Sequence, residues 1–168
     1  RISPFFFDAM DDFHALLKDG NQLSVTWLNV PSYQTMHIPS CDLSSMLSPR
    51  SFEEFALPGI RKEVEKFQHT IFHIDGKGVA RHLDALLELD KIRCFQWVQG
   101  VGDDKPIMQW IDLIKKIQNR GKGVMVSLRS DELDAFMSAI SPKGIFLCMD
   151  ESKEETQLEI IDALLRWR

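Results

Sequence analysis

The sequence carries no excess of positive charge. Twenty Lys and Arg stand against 25 Asp and Glu, a formal net charge of −5 at pH 7. A generic binder of nucleic acid or of an anionic membrane carries a basic stripe. None is present, so neither partner is expected. Cysteine is scarce: Cys41, Cys94 and Cys148 lie far apart and are odd in number. That excludes a disulfide framework and predicts a reducing, cytoplasmic setting. No apolar run reaches the ~20 residues of a membrane-spanning helix. No signal-peptide pattern opens the chain. It starts Arg1-Ile2-Ser3-Pro4, without Met, which predicts a piece of something longer. Glycine-rich nucleotide fingerprints are missing too: neither GxGxxG nor GxxxxGK followed by Ser or Thr occurs. The nearest feature, Gly76-Lys77-Gly78, reads either as an anion loop or as a tight strand–helix turn.

What is present is ordinary globular composition. The 168 residues are 44% hydrophobic and 27% charged, which predicts a single folded domain with a real core. Residues 5–18 read as a helix, with Phe5, Met10, Phe13 and Leu17 on one apolar side and Gly20 as the stop. Residues 22–30 read as a strand, rich in Val, Thr and Trp, and 35–41 as a second one weakened by Pro39. Ser48-Pro49 is a cap and first helical residue, and Pro58 should kink or split the helix that follows.

From residue 69 the pattern turns regular. Apolar runs at 69–75, 93–98, 123–128 and 144–149 read as buried strands. Each is followed by a stripe at helical spacing: Val79 to Leu87, Ile107 to Ile117, Leu133 to Ile140, and Leu158 to Leu165. The last helix is expected to start at a Ser152…Glu155 capping box. Buried strands with helical crossovers are parallel. The fold class is therefore α/β, built of parallel βα units. It is either a TIM barrel or a doubly wound sheet. A closed barrel takes about 250 residues. The barrel reading thus makes this a partial barrel, with residues 1–34 an N-terminal helix and extra strand and 35–168 the βα units. Open strand edges expose unpaired backbone and invite pairing, so a homo-oligomer, or association with a missing N-terminal half, is expected.

Three segments carry a resemblance: CDLSSMLSPRSFEEFALPGIRKEVEKF, then HTIFHIDGKG, then FQWVQGVGD. Together they resemble the uroporphyrinogen decarboxylase superfamily, which includes cobalamin-dependent methyltransferases, over about residues 35–168. The resemblance implies a TIM barrel of which this chain is the C-terminal half, strands four to eight. It implies either methyl transfer, with a corrinoid carried by a partner protein, or decarboxylation of a porphyrinogen-type substrate. A third reading is a non-catalytic half-barrel that self-associates.

In a barrel the C-terminal strand ends form the active site. Those ends give a ring: Cys41 and Asp42, His73 and Asp75, Gln96 and Trp97, Ser127 and Arg129, Cys148 and Asp150. His73 and Asp75, at i and i+2 on a strand, face the same way. In the methyltransferase branch a matching His-x-Cys and a last-strand Cys hold zinc. That implies zinc on His73, Asp75 and Cys148, with Asp75 standing where Cys would be. From the residues alone, the pair reads first as a structural His–Asp contact and otherwise as a general acid/base. Asp42 reads as a pocket-facing carboxylate or a helix cap. Gln96 and Trp97 are expected to line the pocket, though alternation lets only one point inward. Arg129 is a candidate for a substrate carboxylate, and His82 reads as a core histidine.

Overall fold

The computed structural model describes residues 3–19 and 23–167. Its centre is a parallel sheet of five strands: β3 (Met36–His37), β4 (His69–Asp75), β5 (Cys94–Val98), β6 (Gly123–Ser127) and β7 (Ile145–Cys148), in that spatial order. Strict sequence order excludes the reversal of a doubly wound sheet. Right-handed crossovers, the rule for parallel neighbours, then lay the connecting helices on one face. The burial pattern agrees. Phe72, Ile74, Phe95, Trp97, Val124 and Val126 are no more than 1% exposed and face the helices. The alternate residues line the opposite face, and some of them, among them His73, Gln96 and Phe146, are less covered.

The helical layer comprises α2 (Pro49–Ser51), α3 (Leu57–Lys66), α4 (Gly76–Ala80), α5 (Leu83–Leu87), α6 (Ile111–Asn119), α7 (Leu133–Ala139) and α8 (Glu154–Arg166), after α1 (Ser3–Asp19) at the N-terminus. The Ser48 hydroxyl accepts from the Ser51 N–H at 3.1 Å, as its cap role requires. Pro58 does not break the chain of turns. A π-type turn over Phe52–Ala56 widens the helix just before it. That absorbs the missing N–H and the ring clash with the preceding turn.

Several local expectations are corrected. Among the described residues of 22–30, only Ser24–Val25 (β1) form a strand, paired antiparallel with β2 (Pro31–Ser32). Between them the chain turns back through Asn29 at φ 57°, with Asn29 N–H donating to Thr26 O at 2.8 Å; asparagine tolerates that region. On α1, Met10 and Leu17 lie on the half-buried side as expected, but Phe5 and Phe13 do not. Phe6 and Phe7 pack against Phe67, while Phe5 and Phe13 are exposed. Gly20 lies outside the described residues. The Ser152 capping box is absent: α8 begins after Lys153, whose N–H is taken by the Glu151 carboxylate at 3.0 Å. No described helix is long and apolar enough to cross a membrane.

Candidate functional site

The chain leaves β3 alongside β4. Ser40 bridges His73, and the His73 N–H donates to Pro39 O at 2.9 Å. This carries the backbone to the C-terminal end of the sheet, where a 3₁₀ turn over Asp42–Met46 begins. That turn is tied down from three sides. Ser45 Oγ donates to Asp42 O at 2.7 Å. His82 Nε2 donates to Ser44 O at 2.9 Å. The His82 ring is buried and stacks on Phe52 with centroids 4.1 Å apart, the core role its stripe position suggested. Finally, α4 comes so close that a Cβ on Gly78 would sit 2.7 Å from Ser45 Cβ.

The Gly76-Lys77-Gly78 stretch thus serves a tight turn. Gly76 takes φ 69°, which only glycine adopts cheaply. Lys77 pairs with Asp104 at 2.9 Å.

So placed, Asp42 joins His73 and Asp75. One ligating atom from each lies within 4.8 Å of the others. Asp42 and Asp75 are exposed and His73 half-buried, so the cluster opens outward. Gln96, directly across the sheet from His73, accepts from its Nδ1–H at 2.6 Å. That bond fixes the tautomer and leaves the Nε2 lone pair as the free one. Two carboxylates and an imidazole form a donor set suited to a divalent ion such as Zn²⁺.

Two of the expected site residues are elsewhere. Trp97 turns to the helix layer, where it meets Trp110 edge-on at 4.9 Å, and is almost fully buried. The register that sets Gln96 against His73 on the open face forces its neighbour to the other. Cys148 aligns with Ser127 on β6, three strands from Asp75. At about 4.8 Å per strand that is about 14 Å along the sheet, beyond any shared ligand sphere. Asp42, not Cys148, is the third member of the cluster. Burial also pushes the Cys148 thiol up.

Arg129 sits at the β6 end in a cleft of about 960 Å³. Its Nε donates to Asp131 Oδ1 at 2.8 Å, and its Nη2 pairs with the same carboxylate. That bond raises the guanidinium further and lowers the Asp131 carboxyl. The pair lies at the surface, with both side chains more than half exposed.

One residue that sequence reasoning missed stands over the cluster. Trp27, in the β1–β2 turn, places its ring edge-on to His73 with centroids 5.2 Å apart, and is 61% exposed. Leu28 and Asn29 of the same turn line the cleft beside Arg129. The hairpin tip thus reaches across the open face from β4 towards β6 and β7. Its position in a stretch that reads as a strand gave no signal of this.

No family model, curated protein or solved structure matches the chain.

Proposed function

We propose that this chain is a metal-dependent relative of the uroporphyrinogen decarboxylase superfamily, of the methyltransferase kind, with its βα units corresponding to the C-terminal five of a TIM barrel. The observation that carries the reading is the convergence of His73 and Asp75, at the C-terminal end of β4, with Asp42 of the adjoining turn. That is where βα proteins of the barrel kind place their chemistry. The sequential strand order supports the barrel side of the reading.

In this proposal Asp42, His73 and Asp75 hold a divalent ion, with Zn²⁺ as the first candidate. Such an ion, when bound, acts as a Lewis acid that stabilises a coordinated thiolate at neutral pH. Gln96 holds the His73 ring in the one tautomer that presents Nε2. Trp27 walls the mouth and leaves an apolar, half-open approach for a small acceptor or for a corrinoid carried on a partner protein. Asp75, in place of a cysteine, makes the donor set harder, and no cysteine is needed to complete it.

The porphyrinogen decarboxylase alternative has less support. It asks for cations to hold carboxylates, and the one expected at the strand ends, Arg129, pairs with Asp131 at the surface.

The test is metal content by mass spectrometry on protein purified without chelators under anaerobic conditions, beside a His73→Ala control. Near-stoichiometric zinc that is lost in the variant is the expected result. Wild-type protein with no divalent metal above background, and none taken up on dialysis, would overturn the reading.

A further inference from the structure

We propose, resting on the metal reading of the cluster, that His82 is a positioning residue for it. From the helix layer, its ring holds the turn that aims Asp42 at His73 and Asp75.

The three ligands are held unequally. His73 and Asp75 stand on β4, inside the parallel ladder, and Gln96 takes the His73 Nδ1–H. Asp42 has no strand beneath it. It opens the 3₁₀ turn Asp42–Met46, and among the described residues no side chain holds its carboxylate. The backbone of the turn therefore sets where that carboxylate lies. Such turns have poor internal hydrogen-bond geometry, and this one buries little of itself. Leu43 and Met46 are 66% and 81% exposed, and Ser44 alone of the five residues is buried. Ser44 is where the turn is attached to the core.

His82 makes that attachment. Its Nε2–H donates to Ser44 O at 2.9 Å, joining segments 38 residues apart. The donor is itself fixed. Its ring is 3% exposed and lies nearly flat on the buried Phe52 ring, 13° between planes. Its backbone is tied on both sides: His82 N–H donates to Val79 O at 3.0 Å, and Leu86 N–H donates to His82 O at 3.2 Å.

As a core residue, histidine is a poor choice here. Its Nδ1 is buried without a partner among the described residues, which destabilises the fold. The rest of the stripe, Val79, Leu83, Leu86 and Leu87, is apolar and buried. A leucine at position 82 would continue that stripe and leave no unpaired nitrogen. What leucine cannot supply is the bond to Ser44, so the advantage of histidine falls on the turn.

The experiment compares His82→Leu and His82→Gln with wild type in the full chain. In His82→Leu, Ser44 O keeps the Leu47 N–H at 3.0 Å, so no carbonyl is stranded. Its urea midpoint is expected to match or exceed that of wild type. Zinc competition against a chelating dye is expected to show about tenfold weaker binding, the low end of what loss of an outer contact does. His82→Gln, whose amide N–H can stand in for Nε2–H, is expected to restore the affinity. In an Asp42→Ala background His82→Leu is expected to add no further loss, because the two act through one ligand. Metal-free protein supplies a second readout: amide exchange at Ser44 and Leu47 is expected to speed up in His82→Leu and not in His82→Gln. Unchanged zinc affinity in His82→Leu would overturn the proposal and leave the metal reading standing. So would an equal further loss in the Asp42→Ala background, or a loss that tracked a lowered midpoint and was not recovered by His82→Gln. Wild type that takes up no zinc would overturn the metal reading and the positioning role with it; the exchange rates would then report on the clamp alone.

Discussion

Replacing Gln96 by Leu removes one hydrogen-bond acceptor and little else. Gln96 Oε1 takes the Nδ1–H of His73 at 2.6 Å, and leucine fills a similar volume without an acceptor. Two effects compete. The first is on the fold: His73 is half-buried, so water can replace the lost partner, and the cost is about 1 kcal/mol. The second is on the ligand set: without Gln96 the imidazole can rotate and change tautomer. Loss of such an outer contact costs typically 10–100-fold in metal affinity, about 1.4–2.8 kcal/mol. The ligand effect is the larger. Zinc competition against a chelating dye should show Gln96→Leu binding 10–100-fold more weakly, while the metal-free melting point moves by only a few degrees. Gln96→Glu places a carboxylate on Nδ1–H, makes the ring a stronger donor, and should bind at least as tightly as wild type. If Gln96→Leu bound zinc as tightly as wild type, Nδ1 would not be the outer atom of His73 and the assignment of Nε2 would fail.

Gly78→Ala drives a methyl to 2.7 Å from Ser45 Cβ and 3.3 Å from Ser45 Cα. Overpacking of this kind costs about 1–3 kcal/mol. Because the displaced turn carries Asp42, zinc affinity should fall along with the urea midpoint; a midpoint loss with unchanged zinc affinity would separate the turn from the site. Cys94 gives a pH prediction. Burial holds its thiol protonated, pushed up to about 11 from the ordinary 9.0. Above pH 9 the unfolded chain gives up this proton before the folded one, so stability falls as pH rises, by up to about 3 kcal/mol near pH 11. Urea unfolding below pH 9 and near pH 11 should show this loss in wild type and less of it in Cys94→Ala.

The parts of the fold that the sequence revealed are those where one constraint dominates. A strand covered by helices must be apolar on at least one face, so β4 through β7 appear as apolar runs with boundaries within about two residues. Elements set by competition between neighbours were harder. Three consecutive phenylalanines at 5–7 fit more than one helix face, and only packing against Phe67 selects Phe6 and Phe7. Val25 and Trp27 favour a strand by propensity, but the turn at Asn29 claims the segment. At α8, Ser152 and Glu155 have capping-box spacing, yet the Glu151 carboxylate reaches the Lys153 N–H first and moves the helix start.

The same distinction runs through the site. His73 and Asp75 follow from period-two alternation on one strand, a local rule. Asp42 follows from the next strand over. Choosing Gln96 over Trp97 needs the register between β4 and β5, and excluding Cys148 needs the strand order. Neither is a property of any short segment.

The strand order also explains why the ligand set is confined to one end of the sheet. In a sheet whose neighbours in space are neighbours in sequence, ligands converge only from adjacent units. Asp42, His73 and Asp75 come from β4 and the turn beside it, at the end of the sheet remote from β7. One copy therefore holds the whole ligand set.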